Sequence, residues 1–216
     1  MLTLRHYQKG IILFDTAYQP IIDTGVEYKD MDWSQMYQDA EEELPYDMLD
    51  KKGKPVRITV YLDADHAHDF VTRRSVTGIL VFLNNTPIRS VCKQQKTVET
   101  STYGSELVAA RIATELDMEL RYQLRIHGVP IEGPVMMYGD NMYVVLNTTV
   151  PSSVLKKKHL SCSYHRVREA IAARILTFRH IRSKENYADV MTKPLGFQNF
   201  YNLVKPCLFR VPRWGT

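Results

Sequence analysis

From Val56 to Asp63 the chain reads VRITVYLD. Val56, Ile58, Val60 and Leu62 alternate with Arg57, Thr59, Tyr61 and Asp63. A period of two belongs to a β-strand with one apolar face. The strand ends on Asp63, followed by Ala64 and Asp65. A carboxylate at the end of a core strand is rarely needed for folding and is costly to desolvate. It is well placed as a metal ligand, so the question becomes whether other carboxylates sit at comparable ends of elements.

The chain after this strand falls into a regular order. A loop over His66–Arg74 carries His66, His68, Asp69, Arg73 and Arg74, and a second strand follows over Val76–Leu83. Asn84–Asn85 is a tight turn before Pro87, and a third strand runs over roughly Ile88–Cys92. Two antiparallel connections in succession make a three-stranded meander. Thr100–Thr102 supply N-cap candidates for a long helix. Its apolar stripe is Ala109, Ile112, Ala113, Leu116, Leu120 and Leu124, and Gly128 ends it. Val135–Tyr138 is a short buried strand that Gly139–Asp140–Asn141 turns into a second helix, to about Asn147. A loop over Val150–Lys158 leads to a third helix with Leu160, Tyr164, Val167 and Ile171 on one side. Ile175–Ile181 is a last strand, and Tyr187–Lys193 a short helix stopped by Pro194. The tail after Gly196 shows no clear element. Three strands, helix, strand, two helices, strand and helix make a mixed α/β domain, antiparallel first and parallel later, because helices join the later strands.

Residues 1–55 differ in character. Gly10–Phe14 could form one short strand. An acidic run at Asp39–Glu43, Pro45 and the charged stretch Asp50–Pro55 read as linker that packs on the main domain or hangs loose. The division expected is an extension over 1–55, a domain over 56–195 and a tail over 196–216.

Composition narrows the setting. With 216 residues there is room for one sizeable domain with extensions, and a net charge of +4 permits a polyanionic partner without demanding one. The three cysteines, Cys92, Cys162 and Cys207, are odd in number and lack C-x-x-C spacing. That argues against a zinc site or disulfide framework and for a reducing compartment, cytosolic or nuclear unless the chain rides in a larger particle. No apolar run approaches ~18 residues, so no membrane span is expected.

Four carboxylates stand out by position. Asp63 ends the first strand and Asp140 the fourth. Glu106 lies on the apolar stripe of the long helix, seven residues before Ala113, and Asp189 sits in the short terminal helix, three before Thr192. If strands one and four are neighbours, Asp63 and Asp140 lie side by side. Acids held together repel and raise one another's pKa, and divalent cations remove that penalty. An all-oxygen ligand set suits Mg2+ or Mn2+ rather than zinc. Each acid has a plainer reading when taken alone. Asp63 can be a turn residue, Asp140 can cap the next helix, Glu106 can pair with Arg111 or a lysine, and Asp189 alone carries no meaning. The ordered set is far more specific than its members.

The segments YLDADHAHDFVTRRSVTGILVFLNNTPI, KQQKTVETSTYGSELVAA, YGDN, SYHRVREAI and NYADVMTKPL, spread over roughly residues 56–195, resemble the ribonuclease H domain of copia-type retrotransposon polyproteins. Asp32–Trp33 and Lys52–Pro55 look like the stretch that precedes this domain, after the reverse transcriptase. The polymerase motif YxDD is missing, so the chain resembles a C-terminal fragment of such a polyprotein, or a captured or degraded copy. The resemblance implies a ribonuclease H-like five-stranded sheet in the order 3-2-1-4-5 with flanking helices. It implies that Asp63, Glu106, Asp140 and Asp189 bind two Mg2+ (or Mn2+) ions and hydrolyse the RNA strand of an RNA–DNA hybrid. Partners would be the hybrid and a reverse transcriptase domain, in cis or in trans.

Arg73, Arg74, Lys93, Lys156, Lys157, Lys158, Arg166 and Arg168 are candidates for phosphate contact, unless they are a solvated face. Gln94, Gln95, Ser101 and Asn141 are polar groups that could reach phosphate or ribose. There are departures. The family often has Trp near Ser90, and cellular ribonucleases H carry a histidine in the loop before the last Asp, where Arg182–Asn186 has none. The short loop is normal for the copia type and is not read as inactivation; His159 or His165 could substitute, but a histidine beside a basic helix is more often structural or solvated. The alternatives are a catalytically inactive hybrid- or RNA-binding remnant, and integrase-like strand transfer on the same fold. The second disagrees with the acid order, because integrases place their Glu last.

Overall fold

The computed structural model describes residues 31–207; the strand expected over Gly10–Phe14 and the end of the tail lie outside them. One sheet organises the chain. It comprises β1 (Ile58–Asp65), β2 (Val76–Leu83), β3 (Thr86–Gln94), β4 (Val135–Gly139) and β5 (Leu176–His180), in the spatial order β3-β2-β1-β4-β5. β1 pairs antiparallel with β2 and parallel with β4, and β4 parallel with β5. The antiparallel start and parallel later strands are those expected from the order of elements, and the strand order is the one the family resemblance implies. Among the described residues no helix is long and apolar enough to cross a membrane.

Helices cover both faces of the sheet. Ile58, Val60, Leu62 and Ala64 of β1 face α1 (Thr102–Ile126) and α3 (Ser161–Ala172), joined by Ile79, Val81, Met137 and Phe178 from neighbouring strands. On the other face Tyr61 stacks on Tyr138 and meets Phe82 and Tyr187 edge-on, with Ile181, Ala188 and Leu203 around it. Tyr61 is 0% exposed. The period-two pattern assigns this side of β1 a polar character. It is instead a second, aromatic core, because α4 (Asp189–Thr192) and α5 (Phe197–Val204) lie on it. α5 is an element that the sequence alone does not announce. It is only two turns long, and its buried Leu203 acquires meaning from the tyrosines of the sheet.

The ends of elements follow local chemistry. The Ser101 side chain accepts from the Gly104 amide and starts α1. Asn141, not Asp140, caps α2 (Met142–Thr149): its Oδ1 accepts from the Tyr143 and Val144 amides. The Asp140 carboxylate is thereby left for other work. Gly78, opposite Asp63 in the β1–β2 register, carries α4 at very close range. A Cβ there would lie 2.6 Å from Thr192 Cγ2 and 2.8 Å from Met191 Cβ. Only a glycine lets the terminal helix settle on the sheet at this spacing.

Residues 31–55 contain no helix or strand, yet from Trp33 onward they are tied to the domain. The Arg168 guanidinium lies 4.7 Å from the Trp33 ring and 4.7 Å from the Tyr164 ring. Tyr37 Oη meets His165 Nδ1 at 2.6 Å. Glu42 receives both Arg121 and Arg125. The Lys52 amide donates to Gly128 O at 2.9 Å, and Val56 bridges to Ile131.

Candidate active site

The sheet topology gathers acids at one end. β1 and β4 run parallel and adjacent, so Asp63 near the end of one and Asp140 just beyond the other come together. α1 crosses the first face and brings in Glu106. Carboxylate oxygens of Asp63, Glu106 and Asp140 lie within 4.8 Å of one another. Asp63 is fully buried, Glu106 is 4% and Asp189 6% exposed. Asp189 approaches from the second face, on α4, and is linked to Asp63 and Asp140 through Lys193. Lys193 Nζ stands 3.0 Å from Asp63 Oδ1, 3.0 Å from Asp189 Oδ1 and 4.0 Å from Asp140 Oδ2.

The remaining bonds are unevenly shared. The Thr192 hydroxyl donates to Asp63 Oδ2. Ser183 Oγ donates to Asp140 Oδ2 at 2.7 Å, and His180 Nε2 lies 3.1 Å from the Asp140 carbonyl. Glu106 Oε2 is buried with no hydrogen-bond partner among the described residues. Burial and the nearby carboxylates of Asp63 and Asp140 push Glu106 well above the ordinary glutamate range. Burial also raises Asp63, against the pull of Lys193 and Thr192. Asp189 is raised to about 6 by burial and then by Asp63, with Lys193 opposing. Burial would lower Lys193, but Asp63 and Asp189 outweigh it and hold the ammonium protonated.

An unsatisfied, dehydrated carboxylate oxygen beside two further acids is what a hard divalent cation repairs, because it supplies the positive charge that hydrogen bonding here does not. The donor set is all oxygen, which suits Mg2+ or Mn2+. A cavity of about 650 Å³ opens over these groups, lined by His66, Glu106, Asp140, Asn141, Tyr143 and Lys193 among others.

The candidate nucleic-acid contacts separate into groups. Arg73, Arg74, Lys93, Gln94, Lys156 and Lys158 are exposed. Gln94 is held by Asp69 at 2.9 Å. Ser101 and Lys157 come together at the start of α1, Nζ to Oγ 2.6 Å. Arg166 pairs with Glu169 at 3.2 Å. Two candidates are corrected. Gln95 is 3% exposed and donates its amide to Thr77 Oγ1 and Ser105 O, so it braces the start of α1 against β2. Arg168 is 1% exposed and serves the carbonyls of Asn147, Val150 and Pro151, so it is a core residue. Neither lines the cleft over the acids. His159 lies 3.4 Å from Glu99 and His165 against Tyr37, the structural placement favoured for both, whereas His66 lines the cleft and His180 meets the Asp140 carbonyl.

Lys193 is the residue that sequence reasoning missed. Its signal was present in the spacing: Asp189, Thr192 and Lys193 stand at i, i+3 and i+4, one side of a single helical turn.

No protein-family model matches the chain. It is 30% identical over 154 residues to the retrovirus-related Pol polyprotein from transposon RE2 of Arabidopsis thaliana, covering 69% of this chain and 10% of that one. It is 30% identical over 146 residues to the corresponding polyprotein from transposon TNT 1-94 of Nicotiana tabacum, covering 65% and 10%. The chain thus spans about a tenth of the length of the curated relatives it matches. Among solved structures, LC11-RNase H1 in complex with an RNA/DNA hybrid superposes with a TM-score of 0.50 at 16% identity, over 63% of this chain and 94% of that one. That likeness establishes the fold. By sequence the chain is a homologue of the retrovirus-related Pol polyproteins of copia-type transposons, and by fold the part it shares with them is a ribonuclease H-like domain.

Proposed function

We propose that the domain hydrolyses the RNA strand of RNA–DNA hybrids in a reaction that depends on divalent cations, within a reverse-transcribing polyprotein. The observation that carries this reading is the convergence of Asp63, Glu106 and Asp140 around the unpartnered Glu106 Oε2. Asp63, Glu106, Asp140 and Asp189 would hold the ions. When bound, such ions activate water and stabilise the leaving oxygen of a phosphodiester. The chain's own groups have separate tasks. Asn141 caps α2 and so fixes the approach of Asp140. Ser183 orients the Asp140 carboxylate. Exposed Arg73, Arg74, Lys93 and Lys156, and the Lys157–Ser101 pair, offer cations and hydroxyls to phosphates. Hybrid preference would come from duplex shape and 2′-hydroxyl contacts rather than from base edges.

The test is cleavage of a labelled RNA–DNA hybrid by the purified chain with Mg2+, Mn2+ or EDTA. Cutting of the RNA strand alone, abolished by EDTA, is the expected result. A folded chain that binds the hybrid without metal-dependent turnover, even with a reverse transcriptase domain added back, would make it a non-catalytic remnant.

A further inference from the structure

Lys193 is placed with care. Its backbone amide closes α4 on the Asp189 carbonyl at 3.0 Å, and its ammonium then reaches the far side of the cluster. Both oxygens of Asp63 are engaged by side chains of this one turn, Oδ1 by Lys193 and Oδ2 by Thr192. The Lys193 Nζ hydrogen-bonds Asp189 as well, and the side chain is 34% exposed. The ammonium thus uses the same carboxylate oxygens that a divalent cation would need. Like charges cannot share them at this range. Lys193 also lines the cavity over Glu106 and Asp140, so its side chain has open space to rotate into while its backbone stays fixed.

We propose that Lys193 is an exchangeable counter-cation. It holds Asp63 and Asp189 together in the metal-free chain, and yields their oxygens when divalent ions enter. Its ammonium then turns toward the mouth of the cleft, on the side where a phosphate would lie. A lysine suits this role because its charge is compact and its stem flexible. The inference rests on the metal-dependent reading given above.

The experiment is calorimetric titration of Mn2+ into the full chain at fixed pH, with thermal melts of each protein with and without Mn2+. Lys193→Met removes the competing charge. It is expected to bind Mn2+ about three- to tenfold more tightly than the wild type, to melt at a lower temperature without metal, and to gain more from Mn2+. Lys193→Arg keeps the charge and is expected to stay near the wild type. Should the methionine variant fail to fold, Lys193→Gln, uncharged but still a donor to Asp63, carries the same expectation. Mn2+ binding that is present in the wild type, lost in Asp63→Asn and unchanged or weaker in Lys193→Met would overturn the role of Lys193 alone. No Mn2+ binding in the wild type or in Lys193→Met would overturn the metal reading together with it.

Discussion

A charge cluster packs near each end of α1, and the two are opposites. Near its C-terminal end two guanidiniums embrace one carboxylate. Glu42 Oε1 receives Arg121 Nε at 2.7 Å and Arg125 Nε at 3.1 Å, while Oε2 receives Arg121 Nη2 at 2.8 Å and Arg125 Nη2 at 2.5 Å. Burial works against the Glu42 charge, but these bonds overcome it and bring the group down to about 2. Near the N-terminal end the acids outnumber the single lysine, and Asp63, Glu106 and Asp189 are all raised. A cluster whose charges are fully answered holds structure together. A cluster left short of positive charge is held ready for a cation. Asp117 guards against too simple a rule. It is fully buried, neither oxygen has a hydrogen-bond partner among the described residues, and burial raises it well above the usual range. It lines none of the cavities described and belongs to no acid group, so a raised carboxyl alone does not mark a site.

The contrast is broken most severely at the acidic end. Asp63→Asn or Asp140→Asn is expected to lower hybrid cleavage at least about a thousandfold, with the circular dichroism spectrum unchanged. Cleavage near the wild-type rate in both would remove these residues from the site. At the other end Glu42→Gln should cost about 2–4 kcal/mol, because two guanidiniums lose their charged partner. The melting temperature would fall by roughly 5–15 °C, with Mn2+ affinity unaltered; a change in Mn2+ affinity would show that the two clusters communicate. Gly78→Ala forces α4 away from the sheet and should cost about 1–3 kcal/mol. It should also slow cleavage, since Asp189 and Lys193 move with the helix; a variant of full stability and rate would deny that this contact sets the site. Glu106→Gln should act in the reverse sense to Glu42→Gln. It relieves a dehydrated charge and is expected to stabilise the metal-free chain by about 1 kcal/mol, measured by urea unfolding, while cleavage is lost.

The smallest effect is in the acid limb of stability. Glu42 is lowered in the folded chain from an ordinary 4.5 to about 2. Its contribution is therefore complete above about pH 4.5 and lost as pH falls toward 2. Unfolding followed over that range should decline less steeply in Glu42→Gln than in the wild type, and equal slopes would remove Glu42 from the acid response.

Sequence and structure agree where local periodicity and element ends decide the outcome. The alternation in β1, the hairpin at Asn84–Asn85 and the stripe of α1 are readable, and with them the mixed sheet; its strand order comes from the resemblance. The four acids were readable because each occupies the end or start of an element, and Glu106 because it interrupts an apolar stripe. What escaped depends on partners remote in the chain. Lys193 meets Asp63 from 130 residues away. Gln95 and Arg168 look like surface residues until β2 and the loop after α2 close over them. Tyr61 reads as an outward residue until α4 and α5 arrive, and Glu42 as part of an acidic linker until Arg121 and Arg125 are beside it. Pattern reveals which face is apolar, but not what later segment will cover the other one.

The docking of α4 on Gly78 also has a meaning in time. A growing chain delivers Asp63, Glu106 and Asp140 well before it delivers Asp189 and Lys193. Until that last turn leaves the ribosome and seats itself, the three earlier acids have neither their fourth member nor their lysine. Completion of the cluster thus waits on nearly the whole domain, and a chain stopped short of α4 carries three acids without their fourth member or their lysine.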